Sequence, residues 1–242
     1  MKLTGNTILI SGGTAGIGLK LAEAMLELEN NVIVLGRNQK KLLELKKQGF
    51  EIISCDMSLQ HEIEEASVQI QNQYPRLNML FNNAGIQYNY DFTEHVIPLD
   101  RISQEIQVNV TGQIILTQLL IPLLTNNKNS YIINTTSGLG AFPKYDGLVY
   151  SSGKAAMRNF TTGLRYSLKK KSIRVLEFIP PVTDTAMTRK RDEQKMPVEK
   201  LIRQIIPQLR KDKNILTIPG MRVFLWIAFF FPSLANKILS KS

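Results

Sequence analysis

At 242 residues the chain suits one large α/β domain, and 43% hydrophobic with 21% charged residues excludes a disordered or low-complexity polymer. A formal net charge of +10 raises nucleic acid as a partner, but the basic residues are dispersed and no aromatic-basic module accompanies them, so none is expected. The single cysteine, Cys55, excludes an intramolecular disulfide, and MKLTGNTILI is too short an apolar run for a secretory signal, which together point to a cytoplasmic setting.

Short β-branched runs alternate with amphipathic stretches of helical length. In chain order the pattern predicts a strand at 7–10, a helix at 17–29, a strand at 31–35, a helix at 39–48, a strand at 51–55 and a helix at 59–73. It continues with a strand at 77–81, a helix at 100–124, a strand at 130–134, a helix at 150–170, a strand at 173–179, a helix at 198–211 and a strand at 215–218. Strands this continuously apolar are those of a parallel sheet covered on both faces, so the expectation is a doubly wound α/β fold in one domain, residues 1–242, with seven parallel strands and ligands at their carboxyl ends. The stretch 179–197, bracketed by prolines and rich in charge, reads as a mobile loop over the site. Residues 220–242 form an apolar extension.

Ser11-Gly12-Gly13-Thr14-Ala15-Gly16-Ile17-Gly18 follows the first strand and opens directly into a helix. Glycines let the backbone approach a pyrophosphate, and the helix N-terminus offers unpaired N–H groups and a partial positive charge to it. An ordinary tight strand-to-helix turn is the plainer reading of the glycines by themselves. Tyr150 and Lys154 are four residues apart on a predicted helix, hence on one face one turn apart. A phenol of pKa about 10 is ionised in only about one molecule in a thousand at neutral pH, so a nearby cation is needed to lower that value, and Lys154 is placed to supply one. Ser137 falls just beyond a strand, where a hydroxyl could steady a developing negative charge.

The glycine spacing resembles the TGxxxGxG of the short-chain dehydrogenase/reductase family, with Ser11 in place of the usual Thr. The likeness continues through Asn82-Asn83-Ala84-Gly85, Asn109, Ser137, Tyr150-Ser151-Ser152-Gly153-Lys154 and Pro180-Pro181-Val182-Thr183-Asp184-Thr185, in family order over nearly the whole chain. It implies a Rossmann-type fold and an oxidoreductase that interconverts a carbonyl and an alcohol, with Ser137, Tyr150, Lys154 and Asn109 as the catalytic set. By the same resemblance Gly12, Thr14, Gly16, Ile17 and Gly18 would bind the dinucleotide, Asp56 and Met57 the adenine, Asn83-Ala84-Gly85 the adenosine, and Val182 and Thr185 the nicotinamide and phosphates, with Tyr150 and Lys154 also touching the cofactor, whose positive nicotinamide ring would join Lys154 in lowering the phenol. Pro181 stands where the family has glycine, so the local backbone must differ. The second strand ends in Gly36-Arg37-Asn38, where a carboxylate would bind ribose hydroxyls; an arginine there favours NADP(H) over NAD(H), a solvent-facing loop arginine being the bland alternative. His61 and His95 have no second ligand spaced for metal, and no metal is expected.

MKLTGNTILI, NNAGIQ, TTSGLGAFP and Pro180-Pro181 most resemble a bacterial branch of the family linked to D-alanine esterification of teichoic acid. That likeness fixes no substrate beyond a small carbonyl or alcohol compound. The family also implies a homo-oligomer. Three roles stay open for the aromatic run from Met221 to Pro232, flanked by Arg222, Lys237 and Lys241: a wall of the substrate cleft, a subunit contact, or a peripheral membrane anchor, since it is too short to span a bilayer. The alternative to an enzyme is an NADP(H)-binding regulatory or membrane-associated protein with little turnover.

Overall fold

The computed structural model describes residues 1–94 and 96–239; His95 and Lys241 lie outside the described residues. The apolar runs become β1 (Thr7–Ser11), β2 (Asn31–Gly36), β3 (Glu51–Ser54), β4 (Leu77–Asn82), β5 (Ser130–Thr135), β6 (Ile173–Ile179) and β7 (Ile215–Thr217). They form one sheet, all pairs parallel, in the order β3-β2-β1-β4-β5-β6-β7. The order reverses between β1 and β4, and at such a switch point the loops leaving the two strands part and open a crevice at their carboxyl ends.

Between the strands run α1 (Gly16–Glu27), α2 (Gln39–Lys46), α3 (Gln60–Gln73), α4 (Leu99–Ile106), α5 (Gly112–Asn126), α6 (Leu148–Ser167) and α7 (Val198–Arg210). The pleat divides β1 between two cores. Ile8 and Ile10 pack with Leu21 and Met25 of α1 and Leu201 and Ile205 of α7, while Leu9 points the other way, to Ile63 of α3 and Leu116 and Leu120 of α5. Each such side chain, fully buried, is worth about 1.5–3 kcal/mol of hydrophobic transfer.

Where one helix was expected over 100–124, α4 and α5 are joined by a π-helical turn, Gln107–Thr111. Gly112 explains why α5 must start where it does, since a Cβ there would lie 2.3 Å from the Met57 carbonyl oxygen. The π turn takes up the extra residue and carries Asn109. After β7 the apolar extension folds as α8 (Pro219–Phe230) and α9 (Pro232–Leu239). Pro219 sits in the first turn of α8, where a missing N–H costs nothing, and Pro232 begins the next helix. The inner face of α8 reaches the site: a Cβ on Gly138 would meet Met221 Sδ at 2.8 Å and Phe224 at 3.5 Å. Its outer face leaves Val223, Trp226, Phe229 and Phe230 exposed, as is Phe231 just after it.

Candidate active site

The glycine-rich turn lies where β1 meets α1. Gly12 (φ +68°) and Gly16 (φ +54°) occupy the left-handed region, which a side chain would strain. A Cβ on Gly12 would also stand 2.7 Å from Ala84 Cα, and one on Gly18 2.4 Å from Asn83 Nδ2, so the turn is pressed against the segment that follows β4. Ser11 ties the two together. Its buried hydroxyl donates to the Phe81 carbonyl (3.3 Å) and accepts from the amides of Asn83 (3.0 Å) and Ala84 (3.1 Å). The N-cap of α1 is Ala15, which supplies no side-chain oxygen, so the first-turn N–H groups beside Ile17 carry no side-chain cap. An uncapped helix N-terminus at the carboxyl end of β1 fits a dinucleotide pyrophosphate. Thr14 packs on Gly36 at the end of β2, and Thr185 packs on Gly16, 3.1 Å from where its Cβ would be.

Arg37 and Asp56 are neighbours at the ends of β2 and β3. Arg37 Nη1 donates to Asp56 Oδ2 at 3.1 Å. Burial pushes the Asp56 carboxyl up, but hydrogen bonds from the Ser58 amide and hydroxyl and then the Arg37 guanidinium hold it below its ordinary value. Asn38 spends its carboxamide oxygen capping α2, accepting from the Lys41 amide at 3.0 Å. Met57 is buried between β3 and α3.

The catalytic candidates converge at the carboxyl edge of β5. Ser137, just beyond that strand, caps the 3-10 turn Gly138–Gly140 by accepting from the Leu139 amide at 3.2 Å, and its side chain is near enough to Tyr150, in the first turn of α6, to pull the phenol's pKa down. Lys154, one turn on, is buried; Nζ donates to the Thr135 carbonyl at 2.8 Å and stands 5.5 Å from the centre of the Tyr150 ring. Asn109 is clamped by both polar groups of Ile86, accepting from its amide (2.9 Å) and donating to its carbonyl (2.8 Å). Gly85 leaves room for both: a Cβ there would lie 3.2 Å from Asn109 Oδ1 and 3.8 Å from Lys154 Nζ.

The lowering expected for Tyr150 was tied to Lys154 and a positive nicotinamide ring together; with the chain's own groups, burial pushes the phenol up to about 12, while Arg191 pulls it down, Glu105 pushes it up and Ser137 pulls it down. The lysine ammonium donates one hydrogen bond to a backbone carbonyl, and burial brings Lys154 itself down to about 8. With the chain's own groups, Tyr150 is a neutral phenol at physiological pH, a proton donor.

A family model described as short chain dehydrogenase matches residues 6–196. The chain belongs to the short-chain dehydrogenase family. Among its relatives, the uncharacterized oxidoreductase DltE of Bacillus subtilis (strain 168) is 36% identical over 92% of both chains. An uncharacterized oxidoreductase of Staphylococcus aureus (strain USA300) is 25% identical over 88% of this chain and 94% of that protein. A short chain dehydrogenase of Burkholderia cenocepacia, solved with NADP, superposes with a TM-score of 0.88 over 99% of both chains at 22% identity. One from Burkholderia phymatum, solved with NAD, gives 0.84 over 97% of this chain and 96% of that one at 16% identity. The fold is therefore that of the family, and the chain is an oxidoreductase of the short-chain dehydrogenase type.

Two side chains of this dehydrogenase site had no signal in the sequence. Glu105 of α4 is fully buried; its Oε1 accepts from the Tyr88 amide at 3.3 Å, its Oε2 has no partner, and burial pushes it up to about 7. Arg191 comes from the stretch between β6 and α7. That stretch is joined across itself by a bridge between Thr183 and Met196, and the Thr188 hydroxyl donates to the Thr183 carbonyl at 2.6 Å. It is bound to the approach to α6 by an ion pair between Lys144 and Glu193. Val182 and Pro181 are half-buried, and no residue after Ile179 in this stretch has positive φ, so Pro181 is accommodated without the left-handed backbone a glycine allows. His61 is exposed on α3, and among the described residues no group of three metal-ligating side chains gathers. A separate concavity of about 660 Å³, around Asn6, Tyr74 and Asn127, contains none of the site residues.

Proposed function

We propose that this short-chain dehydrogenase reduces a small carbonyl compound with NADPH, using Ser137, Tyr150, Lys154 and Asn109. The observation that carries the reading is the buried Lys154 ammonium 5.5 Å from the centre of the Tyr150 ring, with Asn109 beside it and Ser137 near enough to act on the phenol. When bound, the cofactor supplies the hydride. Tyr150, held as a phenol, gives its proton to the oxygen on which negative charge develops, and Ser137 donates a second hydrogen bond to that oxygen. Lys154 holds a positive charge close to the phenol and so limits the cost of the phenolate left behind. Asn109 fixes the backbone of Ile86 next to that ammonium.

NADP(H) is proposed over NAD(H) because the acidic ribose ligand is missing at the end of β2 and Arg37 stands there, although its present partner Asp56 would have to share it with a 2′-phosphate. The Burkholderia cenocepacia relative was solved with NADP and the Burkholderia phymatum one with NAD, so the fold accommodates either.

Tyr150→Phe is expected to lower kcat for reduction by about 10²–10⁴-fold, the usual contribution of a positioned acid, while cofactor affinity stays within about twofold. Steady-state oxidation of NADPH over a panel of ketones and aldehydes, with a cofactor titration, checks both; unchanged turnover in the variant sinks the assignment. Arg37→Glu is expected to weaken NADPH by about tenfold or more and NADH much less. An unaltered ratio of the two dissociation constants would refute the preference.

A further inference from the structure

The outer face of α8 is apolar, contiguous and uncovered. Val223, Trp226, Phe229 and Phe230 recur at three- and four-residue spacing, so they line one side of the helix, and all are exposed, Trp226 by 62% and Phe229 by 78%. Their rings pack on one another: Trp226 stacks on Phe230 with 5.2 Å between centroids, and Phe229 meets Phe230 edge-on at 4.9 Å. Phe231 and Leu234 extend the patch towards α9, and a groove of about 400 Å³ lies between Val223, Trp226, Phe230 and Phe231. Single exposed apolar residues are ordinary, but a contiguous aromatic patch marks a surface that something covers.

Charge selects the occupant. The 30 residues after Asp212 contain no Asp or Glu and four cations, Lys213, Arg222, Lys237 and Lys241, in a chain of net charge +10. Arg222 is exposed one turn before Trp226; its guanidinium reaches the Ile215 carbonyl at 3.4 Å and pairs with no carboxylate among the described residues. Aromatic rings with a cation in line and no acid near them in sequence suit the headgroup boundary of an anionic bilayer, where the rings are buried and the guanidinium stays with the phosphates. The 12 residues of α8 rise about 18 Å, short of the roughly 30 Å of bilayer hydrocarbon, and Met221 and Phe224 on the opposite side press on Gly138, so the helix can only lie flat. A second copy of the chain fits less well. A stable interface takes about 20–30 residues a side, far more than this patch offers, and two copies would bring like net charges together.

We propose that the outer face of α8 docks this dehydrogenase on the surface of an anionic membrane, with Trp226, Phe229 and Phe230 in the boundary between headgroups and acyl chains and Arg222 at the lipid phosphates. The contact is peripheral and reversible, since no segment crosses the bilayer. It also orients the molecule. The inner face of α8 borders Ser137 through Gly138, so docking holds that end of the site about 10 Å, one helix diameter, from the lipid.

Trp226 is the only tryptophan of the chain, so its fluorescence reports on the patch alone. The full chain is titrated with vesicles of phosphatidylcholine and with vesicles of equal parts phosphatidylcholine and phosphatidylglycerol. Partition into the mixed vesicles is expected to be about tenfold or more the stronger, with Trp226 emission moving to shorter wavelength and quenched by lipids brominated on their acyl chains. Phe229→Glu with Phe230→Glu, both at exposed positions, should weaken partition about tenfold or more with the circular dichroism spectrum kept, and Arg222→Gln should reduce the preference for the anionic lipid. The proposal is overturned if the protein binds neither vesicle. It is overturned equally if vesicles bind it without any change or quenching of Trp226 emission, or bind the double variant as well as the wild type, because net charge alone would then hold it to the surface. A dimer in sedimentation that the double variant lacks, with no vesicle binding, would make the patch a subunit contact and overturn it too. Quenching by brominated lipid needs no variant, so the test stands even if the double variant misfolds.

Discussion

Tyr150 sits in a contest of fields that its neighbours do not settle in favour of ionisation. Burial raises it to about 12, whereas Lys154, itself lowered to about 8 by burial, and Glu105, raised to about 7, are the groups that titrate near neutrality. Reduction needs the phenol protonated, which holds to about pH 12, and needs the ammonium beside it, which is lost as pH rises through about 8. kcat for reduction is therefore expected to fall above about pH 8, with no separate loss from Tyr150 within the measurable range. Lys154→Met should lower kcat throughout and remove the bend; a wild-type profile that rises above pH 8 would mean the tyrosine works as a base. At this scale Ser137, Tyr150, Lys154 and Asn109 were legible, because helical spacing and motif order carry them. The direction of the Tyr150 shift was not, since desolvation depends on what packs around the ring. Arg191 and Glu105 were invisible for the same reason: a charged residue in TRKRDEQK, or an acid in a helix, looks solvated until the fold encloses it.

Elements were read well where a period defines them and less well where packing does. Strand positions agree with the structure to within a residue, because runs such as ILI and VIVL are apolar on both faces. The break of the helix expected over 100–124 left no trace in the sequence, for its cause is the approach of Gly112 to the Met57 carbonyl, a contact between parts of the chain far apart in sequence. Two glycines in helices separate that constraint from simple propensity. Gly112→Ala would force a backbone contact of 2.3 Å apart and is expected to cost about 1–3 kcal/mol, with lower kcat because the π turn carrying Asn109 must move. Gly163, in α6, has nothing within 4 Å of its missing Cβ, and Gly163→Ala should instead stabilise by about 0.4–1 kcal/mol. Urea titrations monitored by circular dichroism read both, and equal effects would show that Gly112 is not under the steric constraint. The extension after β7 was recognised as unusual but not as two helices. Its inner residues Met221 and Phe224 press on Gly138, so one side of the aromatic run borders Ser137 and the other faces outward.

On the scale of the whole molecule, the reversal of strand order between β1 and β4 makes the cofactor crevice a seam between two halves of the sheet. Arg37 and Asp56 lie on the β2–β3 side, and Ser137, Tyr150 and Lys154 lie beyond β5 on the other, so a bound dinucleotide would bridge the halves. The seam is already stitched by Ser11, whose hydroxyl joins the end of β1 to the amides after β4. A ligand that binds only the folded chain adds to this by mass action: at a hundredfold excess over Kd it contributes about 2.7 kcal/mol. For a domain of this size each kcal/mol raises Tm by roughly 2–4 °C, so saturation with NADPH at that ratio should raise Tm by roughly 5–10 °C. At the same concentration NADH should raise it less, and Arg37→Glu should shrink the NADPH shift while leaving the NADH shift nearly unchanged. Scanning calorimetry at matched concentrations separates this from a general effect of polyanions, because inorganic pyrophosphate lacks the adenosine and nicotinamide that reach the two flanks and should give only a small part of the shift. A pyrophosphate shift as large as that of NADPH would mean that the glycine-rich turn alone holds the ligand, and that the two halves are not bridged.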